Sequence, residues 1–103
     1  MAGVSQSDQV TDNPGGSCFE LRAGGRLAEL RYRVSGHRLV LIHTGVPAEL
    51  EGRGLGGQLV RAALDRAARD GMTVVPLCPF ARGWLERHPE MAAQVTIDWA
   101  PAG

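Results

Sequence analysis

Apolar and polar residues alternate along the first third of the chain. The alternation begins at residues 18–21, breaks at Gly24 and Gly25, and resumes over residues 27–34, where every second residue is apolar. A two-residue glycine turn between alternating runs predicts a β-hairpin. The alternation also predicts that each strand has one buried side and one side that faces solvent.

A third strand is predicted at residues 37–46, after a second glycine-containing turn. Its centre, residues 39–42, is apolar without interruption, and such a run predicts a central strand covered on both faces. Pro47 ends the strand because proline has no N–H group to donate to a neighbouring strand. Residues 48–54 follow as a polar turn that contains glycine.

The pattern then changes to helical periodicity. Apolar side chains recur at helical spacing through residues 55–70, which predicts an amphipathic helix that ends at Gly71. Residues 72–77 form another apolar run of the β type, and residues 81–87 are typical of a short helix. Residues 94–99 fit either a last short strand or a packed tail.

The predicted order is therefore β-β-β-α-β-α, with or without a last strand. An antiparallel meander followed by one β-α-β crossover predicts an α+β fold with a mixed, mainly antiparallel sheet and a helix on at least one face. A chain of 103 residues is too short for two cores, so we expect a single domain over residues 18–99. Residues 1–17 are polar, and we expect a flexible tail there.

Charge and cysteine usage narrow the class of protein. The chain has 11 basic and 11 acidic residues and no lysine, whereas proteins that bind nucleic acid usually carry a basic excess. No apolar run reaches the roughly 20 residues that span a bilayer, and the N-terminus lacks a secretory pattern. Cys18 and Cys78 are expected to stay reduced, and no paired Cys or His spacing indicates a metal site. We expect a cytoplasmic protein that binds neither nucleic acid nor a membrane.

The candidate chemistry lies in the turn before the long helix. Gly52, Gly54, Gly56 and Gly57 occupy four of six positions there, with Arg53 among them. Glycines at a helix N-terminus let a ligand approach the backbone and leave unpaired N–H groups that point toward it. The helix dipole adds partial positive charge, and an arginine adds a charge-assisted hydrogen bond to a phosphate. A plain strand-to-helix turn needs fewer glycines, so the pattern favours an anion site.

Two other phosphate-binding motifs fit this turn poorly. Gly52-x-Gly54-x-x-Gly57 has the spacing of the dinucleotide fingerprint, but residues 72–78 contain no acidic residue that would bind a ribose. The P-loop requires a lysine, which the chain lacks. Both motifs are therefore excluded.

The turn and its flanks resemble the small, single-domain branch of the GNAT superfamily, the acyl-coenzyme A-dependent N-acetyltransferases. That family carries (Gln/Arg)-x-x-Gly-x-(Gly/Ala) at the start of a helix, and Gly54-Leu55-Gly56 matches its second half. Glu51 stands where Gln or Arg is usual, which gives Arg53 a larger share of the phosphate contact. The resemblance extends from about residue 39 to residue 90 and rests on these strings: His43-Thr44-x-Val46-Pro47, Gly52-Arg53-Gly54-Leu55-Gly56, Pro76-x-Cys78-Pro79-Phe80 and His88-Pro89-Glu90.

The resemblance implies that the chain binds acetyl-coenzyme A, with the pyrophosphate at the glycine turn. It also implies that the pantetheine arm lies along the end of the strand before that turn, at residues 44–46. The cofactor-binding residues expected on this basis are Thr44, Gly45, Val46, Glu51, Gly52, Arg53, Gly54, Leu55, Gly56, Gly57, Cys78 and Phe80.

Acetyl transfer to an amine needs a group that takes a proton, because an alkylamine with a pKa near about 10.4 is mostly protonated at neutral pH. The candidates near the strand ends are His43, Glu49, Glu51 and Cys78. Cys78 is either a small buried hydrophobic residue or, as the resemblance implies, a residue near the acyl group that accepts it or lines its path. His43 is either a packing residue or the general base.

Two classes of function follow from the sequence. The first is a small N-acetyltransferase that acts on an unidentified amine, either a small molecule or a protein. The second is a coenzyme A-binding regulatory or interaction module with little or no turnover, because so short a chain has few residues for an acceptor pocket. A third hypothesis is a subunit that completes its acceptor site on a partner protein.

Overall fold

The computed structural model describes residues 10–99, which form one mixed sheet with three helices packed against it. The strands lie in sequence order across the sheet, from β1 to β6. Their bounds are β1 Val10–Asn13, β2 Cys18–Ala23, β3 Arg26–Ser35, β4 Arg38–Gly45, β5 Thr73–Pro76 and β6 Thr96–Ile97. The helices are α1 Leu55–Asp70, α2 Pro79–Arg87 and α3 Pro89–Ala92. The expected α+β fold is confirmed.

The first four strands form the predicted antiparallel meander, and β4, β5 and β6 are parallel. Gly24 and Gly25 connect β2 to β3 with φ angles of 58° and 76°, which are the positive values that a tight hairpin turn requires. The short strand β6 confirms the first of the two interpretations of residues 94–99. It pairs Thr96 with Thr73 on β5.

The segment expected to be a tail contains a strand that the sequence pattern did not predict. β1 pairs along its whole length with β2, from Val10 opposite Leu21 to Asn13 opposite Cys18. Residues 10–13 therefore belong to the sheet, and the expected boundary of the tail at residue 17 is wrong. Residues 1–9, the rest of the expected tail, lie outside the described residues.

A polar cluster holds β1 against the helix layer. The Tyr32 hydroxyl and the Arg66 guanidinium both donate hydrogen bonds to Asp12, and Arg66 also donates to the Tyr32 oxygen at 2.8 Å. Burial and the neighbouring carboxylate raise the pKa of Tyr32 to about 12. The strand is thus fixed by residues that lie far away in the sequence.

Helix α1 forms where its periodicity predicts it. Its buried residues include Leu59, Val60, Ala63 and Leu64. The charged residues Arg61, Asp65 and Arg69 lie on the opposite, solvent-facing side and are exposed. Gly71 ends the helix with a φ of 67°, and its N–H bonds to the Ala67 carbonyl. This amphipathic face is the centre of the hydrophobic core.

All three helices pack on the same side of the sheet. The core cluster joins helix residues to the sheet residues that point toward them, such as Phe19, Leu30 and Leu41. The other side of the sheet carries no helix among residues 10–99. The central strand β4 is buried at residues 39–41, as predicted, but Ile42 on the helix-free side is 40% exposed.

Candidate functional site

The site begins where β4 and β5 diverge. Their pairing ends with Leu41 opposite Pro76, whereas β4 continues to Gly45. The Leu41 carbonyl accepts hydrogen bonds from the N–H groups of Leu77 and Cys78, at 3.0 Å and 2.9 Å. Within the described residues, no strand pairs with β4 on this side beyond Leu41. The last residues of β4 thus present an unpaired strand edge to an opening in the sheet.

A β-bulge in β4 lies at the same point. Tyr32 on β3 is opposite Leu41, but Arg31 is opposite His43, so Ile42 has no opposite residue. A bulge adds one residue to a strand and bends it. The bend and the end of β5 at Pro76 together separate the two strands.

The glycine turn brings the N-terminus of α1 to this opening. Gly52 and Gly54 have φ angles of 86° and 76°, which a residue with a side chain rarely adopts. Gly54 is the N-cap, and no side chain caps the helix. The first intrahelical bond runs from the Gln58 N–H to the Gly54 carbonyl at 3.1 Å. The N–H groups of residues 55–57 therefore have no partner within the helix, which makes them donors for an anion.

The other two glycines of the turn have a different role. A Cβ on Gly56 would lie 2.5 Å from Cζ of Phe80, and a Cβ on Gly57 would lie 2.5 Å from Nε1 of Trp84. The two aromatic side chains of α2 therefore rest directly on the backbone of the first turn of α1. Trp84 is held from behind by His88, whose ring stacks on it at 4.0 Å between centroids.

These elements enclose a cleft of about 790 Å³. Its walls are the end of β4, the glycine turn with the start of α1, and one face of α2. The lining residues are His43, Thr44, Gly45, Val46, Leu50, Glu51, Gly52, Gly54, Leu55, Gly56, Gly57, Phe80, Trp84 and Arg87. The structure thus brings together all the expected cofactor-binding residues except Arg53 and Cys78.

Cys78 lies just behind the cleft wall. Its side chain is 2% exposed, and its Sγ is 3.1 Å from Oγ1 of Thr44, which lines the cleft. The Thr44 hydroxyl group therefore lies between the Cys78 thiol and the space that a ligand would fill. Cys78 is also the N-cap residue of α2.

His43 lies on the other side of β4 from Thr44. The register places it opposite Arg31, whereas Thr44 is opposite the core residue Leu30. Its side chain is exposed and lines the mouth of the cleft. His43 and Cys78 therefore approach the opening from opposite sides of the sheet.

Arg53 does not line the cleft. It is exposed between Gly52 and Gly54, and within the described part of the chain it has no ion pair. The residues that sequence reasoning missed are Leu50, Trp84 and Arg87. The spacing of Phe80, Trp84 and Arg87, at i, i+4 and i+7, places all three on one helix face and was a signal available in the sequence.

The second cysteine, Cys18, does not line the cleft. Cys18 and Cys78 are both free, and burial together with Glu20 raises the pKa of Cys18 on the helix-free side of the sheet. Across residues 10–99, no three His, Cys, Asp or Glu side chains are grouped so that they would hold a metal ion. None of the helices in this range is long and apolar enough to cross a membrane.

The fold and the cleft define a class of protein: an α+β domain in which two parallel strands separate beside a glycine-rich helix N-terminus. A family model for GCN5-related N-acetyl-transferases matches residues 18–95. The chain therefore belongs to the GCN5-related N-acetyltransferase family. Its fold is similar to the NMR structure of a GCN5-like protein from Staphylococcus aureus, with a TM-score of 0.67 and 24% identity, over 98% of this chain and 96% of that one.

Proposed function

We propose that the protein binds acetyl-coenzyme A in the cleft and transfers the acetyl group to an amine. The observation that carries this proposal is the position of the unpaired edge of β4 beside the uncapped N-terminus of α1. The N–H groups of residues 55–57 would bind the pyrophosphate. The free backbone groups of residues 44–46 would form hydrogen bonds with the amide groups of the pantetheine arm, and the thioester would then lie toward Cys78.

His43 is the proposed general base. The neutral amine attacks the thioester carbonyl carbon, a C–N bond forms, and the bond from that carbon to the sulfur of coenzyme A breaks. The amine loses a proton to His43, directly or through a water molecule, and the sulfur leaves as the thiol or thiolate of coenzyme A. Exposure at the mouth of the cleft supports this role, because an acceptor would enter from the same side.

Cys78 offers a second route for the acetyl group. The Cys78 thiol would give up its proton as its sulfur attacks the thioester carbonyl carbon, the bond from that carbon to the sulfur of coenzyme A would break, and the proton would pass to the leaving sulfur. The neutral acceptor amine would then attack the carbonyl carbon of the acetyl-cysteine, the bond from that carbon to the Cys78 sulfur would break, and the proton lost by the amine would return to that sulfur. The hydrogen bond to Thr44 supports this role because it orients the sulfur toward the cleft.

Binding and turnover are tested separately. Acetyl-coenzyme A at 100 times its Kd is expected to raise the unfolding free energy by about 2.7 kcal/mol, which a thermal melt would detect. Release of free thiol over a panel of amines measures turnover. An unchanged melting temperature at millimolar acetyl-coenzyme A would contradict even the binding step.

The two proposed residues are tested by Cys78→Ala and His43→Ala, with Cys18→Ala as the matched control for loss of a buried cysteine. We expect the first two variants to lose at least about tenfold in turnover and the control to retain it. Unchanged turnover in both would remove their catalytic roles. Tight binding without turnover on any amine would instead favour the coenzyme A-binding module.

A further inference from the structure

Arg87 is a cation on the wall of the cleft. It is the last residue of α2 and lines the cleft with Trp84 and Gly57. No carboxylate within residues 10–99 forms an ion pair with it. Arg82 on the same helix contrasts with it, because its guanidinium lies 3.7 Å from Glu86.

The Arg87 side chain passes close to Gly83, which lies one turn earlier on α2. A Cβ on Gly83 would lie 3.2 Å from a terminal nitrogen of Arg87, so the guanidinium folds back over this glycine. An alanine at position 83 would require the end of the Arg87 side chain to shift by only a few tenths of an ångström. Arg87 is exposed, so its guanidinium is accessible to a ligand in the cleft.

The position of Arg87 along α2 indicates which part of a ligand it would meet. Cys78 is at the N-terminal end of the helix, and Arg87 lies about 13 Å further along the axis at a rise of 1.5 Å per residue. Phe80 and Trp84 line the wall between them. The wall formed by α2 therefore runs from the end of the helix near the buried Cys78, past two aromatic rings, to a cation that has no ion pair within residues 10–99.

We propose that Arg87 binds a phosphate group of the acyl donor and makes the protein prefer a nucleotide-bearing donor to a bare acyl-pantetheine. The inference rests on the proposed function, since it assigns the donor to this cleft. A guanidinium forms strong, charge-assisted hydrogen bonds with phosphate oxygens. Arg53, which the sequence favoured for this contact, lies outside the cleft.

The test is a calorimetric titration of three donors against four proteins. The donors are acetyl-coenzyme A, its form without the 3′-phosphate, and acetyl-pantetheine. The proteins are the natural chain, Arg87→Gln, Arg87→Lys and the matched control Arg61→Gln, which changes an exposed arginine of α1 that does not line the cleft. Arg87→Gln is expected to weaken acetyl-coenzyme A binding about 10- to 100-fold, Arg87→Lys to weaken it less, and Arg61→Gln to change it by about twofold or less.

The three donors distinguish which phosphate is bound. If the effect of Arg87→Gln disappears without the 3′-phosphate, Arg87 binds that group. If the effect persists there and disappears only with acetyl-pantetheine, Arg87 binds the pyrophosphate. Either outcome supports the proposal, and binding by the natural chain should also weaken more steeply with salt than binding by Arg87→Gln.

Two outcomes would overturn the inference alone. One is an equal loss of affinity for all three donors, which would mean that Arg87 only stabilises the C-terminus of α2. The other is no loss at all with acetyl-coenzyme A. Failure of the natural chain to bind any of the donors would overturn the proposed function and this inference with it.

Discussion

Two pairs of glycines share one turn of this protein, and they are there for different reasons. Gly52 and Gly54 have positive φ angles, and a Cβ on either would meet nothing within 4 Å. Gly56 and Gly57 have no such angles, but a Cβ on either would come within 2.5 Å of an aromatic side chain of α2. The first pair is required by backbone conformation and the second by close packing.

The two pairs therefore act on the candidate site in different ways, the first through backbone conformation and the second through packing. The first pair sets the direction in which the chain enters α1, and so aims the N–H groups at the cleft. The second pair lets Phe80 and Trp84 touch the helix backbone, and so joins the two helices that form the walls. Substitution by alanine tests each reason, because alanine adds a Cβ and also raises helix propensity by about 1 kcal/mol over glycine.

Gly57→Ala should have the largest effect on stability. Trp84 is 9% exposed and stacked on His88, so the ring has little room to move away from a new methyl group. Overpacking costs about 1–3 kcal/mol, which outweighs the gain in helix propensity. We expect the melting temperature to fall by several degrees, measured by circular dichroism. A rise in melting temperature would show that the higher helix propensity of alanine determines the result and that Trp84 does not closely contact position 57.

Gly56→Ala should mainly affect ligand binding. Phe80 is 40% exposed, so its ring is free to turn into the cleft and relieve the clash at small cost in stability. We expect acetyl-coenzyme A to bind about tenfold more weakly, a loss of about 1.4 kcal/mol. Calorimetry on the variant measures this. The double variant with Phe80→Ala removes the displaced ring and should recover part of the loss; no recovery would contradict the steric explanation.

Gly54→Ala should destabilise the fold by about 1 kcal/mol, because alanine is strained at a φ of 76°. Urea unfolding measures the change. Gly54→Asn is the matched variant, since asparagine tolerates the left-handed conformation better than alanine does. Equal losses from the two variants would mean that backbone strain is not the cause.

Gly52→Ala should have the smallest effect, about 0.5 kcal/mol, although its φ of 86° is also positive. Gly52 lies outside the helix in an exposed turn, where neighbouring residues adjust more easily than at the N-cap. The same unfolding measurement applies. A loss larger than that of Gly54→Ala would reverse the expected order within the first pair.

Local patterns predicted most of the fold. The alternating runs, the Gly24-Gly25 turn and the periodicity of α1 each depend on residues close together in sequence, so the meander and the crossover followed from them. Strand β1 could not be predicted in this way, because it is only four residues long and partly polar. It is held by Asp12 contacts to Tyr32 and Arg66, and no local pattern records a contact of that range.

In the candidate site, too, the features that are local in sequence could be predicted and the contacts between distant residues could not. The glycine turn and the end of β4 are adjacent in sequence, and the structure brings them together at one cleft. The contacts of Phe80 with Gly56 and of Trp84 with Gly57 join separate helices. The sequence therefore indicated the glycines but not the aromatic residues that contact them. Nearness in sequence also favoured Arg53, whereas the cation on the cleft wall is Arg87, more than thirty residues later.

The groups proposed to bind the ligand along β4 and the start of α1 belong to the main chain, and this has a consequence for how the site tolerates mutation. Backbone N–H and C=O groups are the same whatever the side chain, so much of the binding surface would survive extensive sequence drift. Conventional alanine scanning would therefore understate its importance. Replacing single amides of residues 44–57 by esters, which removes one N–H donor at a time, would map the surface that side-chain mutagenesis leaves unseen.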